Sequence, residues 1–496
     1  MTESLSSKKN SSNYITIRNS ILERVDIMSE LDVFFHPKSI AIIGASDNIK
    51  FGYNTTKYLL ESEFKTYPVN IKKKEIHGHK AYKNVKDIPD EIDLAIILVG
   101  NEFVLQSVKD CIEKGVKGIV IESAGFAETG VERFIKIQKE IEEIAKKSKV
   151  RIIGPNCVGV TDFNNQFTTA DMSFDEAING KVAVIAQSGV LGNIFIDWAT
   201  DKGIGFSKTI TIGNKVDVDE VDLLKYLNND PETKVITLYL EGTKRGKELL
   251  ETFKNMEKPV LILKNGKSDI GSKAITSHTG SMAGNDRIYD VVIKQNPRIF
   301  RVNNFYEMFN IAHVFATQPL PHGKNVSIIT GSGSLGALAC DEIEEQGLSL
   351  TNLSEHTIAT INSVIPNWVS IKGTIDLGPS LFQTFIPVIN AIFEDKNVDC
   401  VLYIFSVPRW PLQMMGSMAT NWAIEQFKTI KLLIQKFNKP CVCVCFGSGW
   451  TFDFLRKTEF KSNSEVSIPI MSRIKHAVIA FRMMYEFNKN QFDSSN

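Results

Sequence analysis

The segment Ser277-His278-Thr279-Gly280-Ser281 holds the side chain best suited to take up a group and pass it on near neutral pH. Neutral imidazole has a free nitrogen lone pair, so a histidine can act as a nucleophile as well as a proton carrier. The segment lies in a run of small and polar residues, 271–285, between a strand-like and a helix-like stretch. Glycine and serine around the histidine let such a loop approach a phosphate or swing away from it.

A loop of this kind needs elements that hold it, and the chain supplies them as alternating strands and helices. Ser39–Ile43 is an apolar run that ends in Gly44-Ala45-Ser46, followed by Gly52 and a helix-like stretch over 55–63. Strand, small-residue turn and helix together form a nest for phosphate, because helix N-terminal amides point at an anion. Lys72, Lys73 and Lys74 follow the next strand end and suit a polyphosphate, or simply a solvated surface. Residues 93–99 and Gly118–Ile121 read as two more buried strands, each followed by a helical pattern. This alternation predicts a parallel sheet with helices on both faces and ligands at the carboxyl ends of the strands. Gly44-Ala45-Ser46, Val99-Gly100, Ser123-Ala124-Gly125 and Gly154-Pro155-Asn156-Cys157 all fall at such ends.

The second half repeats itself. Ala183-Val-Ile-Ala-Gln-Ser-Gly-Val-Leu-Gly192 aligns with Ser327-Ile-Ile-Thr-Gly-Ser-Gly-Ser-Leu-Gly336, and Leu238-Tyr239-Leu240 with Leu402-Tyr403-Ile404. Lys258-Pro259, an apolar strand and Gly266 then match Lys439-Pro440, the Cys-Val strand and Gly447. The order of these matches predicts a duplicated flavodoxin-like α/β unit. Glu241 and His278 belong to the first copy, and the second copy lacks both. The second copy contains Gly331, Gly333 and Gly336 in GxGxxG spacing, which alone would suggest NAD. Its repeat partner Gln187-Ser188-Gly189 is no dinucleotide fingerprint, and a structural turn is the preferred reading.

Bulk properties narrow the class. At 496 residues the chain should form two to four domains of about 100–200 residues each. A formal charge of zero supplies no global field for nucleic acid. The seven cysteines lack paired short spacings and suit a reducing compartment. Cys441, Cys443 and Cys445 alternate with valine, so their thiols should share one strand face as buried hydrophobes; no metal site is expected. No apolar run approaches the roughly 20 residues of a membrane span. Residues 1–30 are polar and serine-rich without a signal-peptide core, which reads as a loose extension of a cytoplasmic protein.

From about residue 31 onward the chain resembles the α subunit of the NDP-forming acyl-CoA synthetases, which include ADP-forming acetyl-CoA synthetases and are relatives of succinyl-CoA synthetase. The motifs that carry the resemblance run in order: Phe35-His36-Pro37-Lys38-Ser39-Ile40-Ala41, Ile43-Gly44-Ala45-Ser46, Pro68-Val69-Asn70, Ser123-Ala124-Gly125-Phe126 and Gly154-Pro155-Asn156-Cys157-Val158-Gly159. Gln187-Ser188-Gly189, Gly213-Asn214-Lys215, Leu240-Glu241-Gly242 and Ser277-His278-Thr279-Gly280-Ser281-Met282-Ala283-Gly284 continue the set. The chain departs from the family pattern at Gly373-Thr374-Ile375-Asp376, where many relatives have Asn-Pro, and in the less glycine-rich loop 331–336.

The resemblance implies an α/β fold: a Rossmann-like CoA-binding domain over 31–163, a flavodoxin-like domain with a phosphohistidine loop over 164–320, and a second flavodoxin-like domain over 321–496. It implies a relay in which acyl-CoA and phosphate give acyl phosphate and CoA, and the phosphoryl group passes to His278 and then to ADP. Glu241 would accept the Nδ1 hydrogen of His278 and leave Nε2 as the nucleophile. Ser188, Gly189 and Gly280 would receive the phosphate. Gly44, Ala45, Ser46, Lys72, Val99, Gly125, Asn156 and Cys157 would lie along CoA, with no acyl-carrying role for Cys157. Nothing after Gly447 looks like the family's ATP-grasp domain, so ATP or ADP and Mg²⁺ are expected on a separate β subunit in a heteromer. The substrate is expected to be a short carboxylic acid or its acyl-CoA. A CoA-binding regulatory or scaffold protein of the same fold is the alternative, and Glu241 with His278 argues against it.

Overall fold

The apolar runs become the buried strands of three sheets. The computed structural model describes residues 29–493 apart from 172–173, 175–177, 269, 272–285, 372–373 and 463–465. All but two residues of the extension expected over 1–30 therefore lie outside the described residues.

The first sheet is parallel, in the spatial order Lys65–Val69, Ser39–Ile43, Leu94–Ile97, Gly118–Ile121, Arg151–Ile153. Numbered along the chain this is 2-1-3-4-5, a doubly wound order whose crevice opens at the carboxyl ends beside Ser39–Ile43. Every residue of Ser39–Ile43, Leu94–Ile97 and Gly118–Ile121 is buried, because helices cover both faces. The helix expected over 55–63 runs from Tyr53 to Glu61, starting at a left-handed Gly52.

The second sheet contains Phe206–Thr211, Asn179–Ala186, Val235–Leu240, Val260–Lys264 and Ile299–Arg301, again parallel and again in the order 2-1-3-4-5. The hairpin Val160–Asp162 and Phe167–Thr168 extends it, antiparallel, beyond Phe206–Thr211. The division expected at 163/164 falls inside this hairpin, since the hairpin pairs with the second sheet and not the first. The third sheet contains Ser349–Leu350, Asn325–Thr330, Cys400–Phe405, Cys441–Cys445 and Ile470–Met471 in the same order, with Ile375–Asp376 also paired to Asn325–Thr330. The aligned repeat segments thus occupy equivalent strands. In the GxGxxG turn, an added Cβ would stand 3.0 Å from Asp376 Oδ2 at Gly333 and 2.9 Å from Thr374 Oγ1 at Gly336, so the chain's own side chains fill that turn.

Alternation along the strands sorts side chains into separate cores. Val182, Val184 and Ala186 face a core shared with Val326, Ile328, Leu402 and Val444 of the third sheet. Ala183 and Ile185 face the opposite way, into a core shared with Ile40, Ile42, Leu94 and Val120 of the first sheet. The helices Phe305–Thr317 and Ile474–Asp493 lie between the second and third sheets and contribute Phe309, Phe315, Met484 and Phe487 to the first of these cores. The thiols of Cys441, Cys443 and Cys445 share the outer face of the third sheet, as the alternation predicts. Among the described residues no helix is long and apolar enough to cross a membrane.

A buried ion cluster joins the hairpin to the second sheet. Lys208, 1% exposed, lies opposite Asp162 in the strand pairing. Its Nζ stands 3.3 Å from Asp162 Oδ2 and 3.2 Å from Asp230 Oδ2. It therefore clamps the hairpin that leads out of the first domain to the second sheet. Removing the cation leaves two buried carboxylates facing each other, which costs about 3–5 kcal/mol. Lys208→Met should lower the unfolding free energy read from the first urea transition by that amount. Adding Asp162→Asn and Asp230→Asn should recover most of the loss, a coupling readable from the same denaturation curves.

Candidate functional site

A cleft of about 450 Å³ opens where the carboxyl ends of the first sheet meet the carboxyl end of Asn179–Ala186 in the second. Its wall joins Val99, Asn156 and Cys157 of the first domain to Gln187, Ser188 and Gly189 of the second. Phe51, Leu98, Asn101 and Glu122 complete much of the lining. Parallel sheets place their chemistry at these ends because the faces are already buried.

Each contributing loop is fixed by its own hydrogen bonds. Asn156 follows a cis Gly154–Pro155 bond and adopts a left-handed conformation, φ 60°. Its amide donates to Ser123 O at 2.9 Å, and its Nδ2 to Asn214 Oδ1 at 3.3 Å. Cys157 is buried, and its thiol donates to Ile121 O at 3.3 Å. Burial first, and then the Glu122 carboxyl, push that thiol far above its ordinary value, so it carries its proton and is no nucleophile in this state. Ser188 precedes the helix Gly189–Asp201 and makes no side-chain cap, which leaves the first amides of that helix open to an anion. A Cβ on Gly189 would stand 2.4 Å from Val158 Cγ2, so glycine lets the second-domain helix start close to the first-domain loop.

Gln187 connects the cleft to Glu241. Its Oε1 accepts from the amides of Glu241 at 2.9 Å and Gly242 at 3.2 Å. Glu241 is buried at the end of Val235–Leu240, and Tyr239 donates its hydroxyl hydrogen to Glu241 Oε1 at 3.2 Å. Asn265 Nδ2 in turn donates to the Tyr239 oxygen at 2.7 Å. Burial, and next the Glu241 charge, hold the Tyr239 phenol above its usual range, so it remains a donor. Lys215 Nζ donates to Gly242 O at 2.6 Å and to Glu220 Oε2 at 3.0 Å, which ties the loop after Glu241 to the motif Gly213-Asn214-Lys215.

Gly44, Ala45 and Ser46 follow Ser39–Ile43; Ala45 and Ser46 are buried, and Ala45 O accepts from Asn70 Nδ2 at 2.9 Å. Lys72 is exposed, with its amide on Asn70 Oδ1 at 2.8 Å, while Lys73 pairs with Asp47. Gly125 reaches the cleft through Asn101, whose Nδ2 donates to its carbonyl at 2.6 Å. His278 and Gly280 lie outside the described residues, between the strand Val260–Lys264 and the helix Asp286–Lys294. The sequence reading did not single out Glu122 as a site residue. Its sequence signal, an acid directly after the wholly apolar Gly118–Ile121, does not tell a buried carboxyl from an exposed one.

Known proteins are similar to this chain in sequence and in fold. The family model for a CoA binding domain matches residues 38–162, and that for a succinyl-CoA ligase like flavodoxin domain matches residues 179–315. The chain is 45% identical over 383 residues to the acetate–CoA ligase [ADP-forming] II subunit alpha of Pyrococcus furiosus, covering 76% of this chain and 83% of that one. It is 34% identical over 475 residues to the acetate–CoA ligase [ADP-forming] II of Archaeoglobus fulgidus, covering 94% of this chain and 68% of that one. Its fold matches the dinucleotide forming acetyl-coenzyme A synthetase 1 of Ca. Korarchaeum cryptofilum, solved with phosphate and ADP, at a TM-score of 0.82 and 27% identity over 94% of this chain and 98% of that one. The chain belongs to the NDP-forming acyl-CoA synthetase family, and it carries the CoA binding and succinyl-CoA ligase like domains that the two family models describe.

Proposed function

We propose that the cleft between the first two domains is the chamber of a phosphohistidine relay, with His278 as carrier and Glu241 as the group that orients it. The activity is that of an ADP-forming acid–thiol ligase, interconverting acyl-CoA, ADP and phosphate with carboxylic acid, CoA and ATP. The observation that carries the reading is the shared wall: the loop of Asn156 and Cys157 and the open helix start at Ser188 and Gly189 face one space, and Gln187 binds that space to Glu241.

On this reading CoA lies along residues 31–163, with its pyrophosphate at Gly44-Ala45-Ser46 near Lys72 and its thiol end towards Val99, Gly125, Asn156 and Cys157. Phosphate is received by amides at Ser188, Gly189 and Gly280, where backbone donors stabilise it without a counter-charge. Acyl phosphate yields its phosphoryl group to Nε2 of His278, and Glu241 stabilises the positive charge that develops on the ring. Residues 164–320 carry the relay loop, and residues 321–496 repeat its fold without Glu241 or His278 equivalents. Relatives named as α subunits support a separate β subunit, which we assign an ATP-grasp fold, the adenine nucleotide and Mg²⁺. The substrate class is a short carboxylic acid, and cysteine usage favours the cytoplasm.

With radiolabelled ATP and the β partner present, the chain should take up label that is lost in acid and kept in base. His278→Ala should take up none, and label persisting on that variant would overturn the relay. Glu241→Gln keeps an acceptor oxygen but loses the charge, so its labelling should be slowed, while Glu241→Ala should lose about 10²–10⁴-fold in rate.

A preparation of this chain alone, supplied with acid, CoA and ATP, should form no acyl-CoA, whereas adding the β subunit should restore turnover. Coupled release of phosphate measures both arms.

A further inference from the structure

The cleft wall carries an acid that neither the relay nor the phosphate-binding loop uses. Glu122 directly follows the strand Gly118–Ile121, is 3% exposed, and lines the cleft with Asn156, Cys157, Ser188 and Gly189. Neither of its carboxylate oxygens makes a hydrogen bond of ordinary geometry. The fold leaves space for the carboxyl: Gly159, at φ +93°, would carry a Cβ 2.7 Å from Glu122 Oε1. Three polar groups bear on it. Asp171 adds a like charge, the Thr169 hydroxyl weakly favours the ionised form, and the Cys157 thiol stays protonated. Burial and then Asp171 raise Glu122 well above the usual carboxylate range, which favours its protonated form.

A protonated carboxyl in a cleft wall can give its proton to a leaving group. We propose that Glu122 is the catalytic acid that protonates the sulfur of CoA when the thioester is cleaved, and the base that takes the thiol proton in the opposite direction. The inference rests on the reading of the cleft given above and deepens it. A phosphate oxygen attacks the thioester carbonyl; the new C–O bond forms and the C–S bond breaks. The electron pair goes to sulfur, which receives the Glu122 proton and leaves as the thiol. The Glu122 carboxylate recovers a proton from the phosphate hydroxyl, so the net transfer is from phosphate to sulfur. Cys157 does not compete as donor, because its hydrogen points to a backbone carbonyl.

The two ways of labelling His278 separate this role from the relay. Acetyl phosphate reaches the histidine without thioester chemistry, whereas acetyl-CoA with labelled inorganic phosphate requires it. Glu122→Gln in the full chain should accept label from acetyl phosphate at the unaltered rate, while labelling from acetyl-CoA and phosphate should fall about 10²–10⁴-fold. In the unaltered chain the acetyl-CoA rate should decline as pH rises through the Glu122 titration, since the acid form is required. That limb should vanish in Glu122→Gln and reappear in Glu122→Asp. Full acetyl-CoA labelling of Glu122→Gln, or an equal loss of both labels, would overturn the assignment. If the unaltered chain takes label from neither donor, the phosphohistidine reading itself fails and this proposal with it.

Discussion

The middle sheet is buried on both faces, and that constraint shapes the rest of the molecule. Successive residues of Asn179–Ala186 enter different cores, one shared with the first sheet and one with the third. Such a sheet is largely apolar, apart from paired groups such as Lys208, so most polar chemistry falls in the loops at its ends. Gln187, Ser188 and Glu241 all lie within two residues of a strand end. The first sheet offers its own carboxyl-end loops to the same place because the core between the two sheets fixes their relative position.

Within this frame the site is held by backbone contacts more than by charge. The Gln187 side chain bonds two successive amides after Val235–Leu240, and Lys215 grips a carbonyl of the same loop from the other side. Glu241 therefore leaves its strand in one direction only. Arg245 adds a bond to Asp219 at 3.0 Å and one to Asp222 at 2.9 Å, which pins the start of the next helix. A carboxylate intended to orient a ring needs this kind of support, since an error of about an ångström in position costs large factors in rate.

Much of the architecture was legible in the sequence because fully buried parallel strands read as uninterrupted apolar runs. Ser39–Ile43, Gly118–Ile121 and the cysteine–valine strand needed no further information, and the repeated segments announced a second copy of one fold. The hairpin at 160–168 was not legible: its strands are two and three residues long and pair antiparallel with a distant partner. Lys208 and Asp162 were missed for a related reason, since charged residues read as surface unless their partners are known to meet them across a sheet. Val99, Asn156, Cys157, Ser188 and Gly189 line one cleft, and the sequence marks their segments as loops through strand ends and small-residue turns. Glu122 was missed because one acid after an apolar strand looks the same in sequence whether it faces water or a neighbouring domain.

The helix Ile474–Asp493 has a consequence for how the chain comes into being. It supplies Met483, Met484 and Phe487 to a core whose other wall includes Val182 and Val184. A ribosome therefore releases the middle sheet long before that helix emerges. Domains fold as units during synthesis when their contacts are local. Here one side of the middle sheet must wait, partly uncovered, while the third sheet is made. During that interval the nascent chain presents an apolar surface of the kind that chaperones shield.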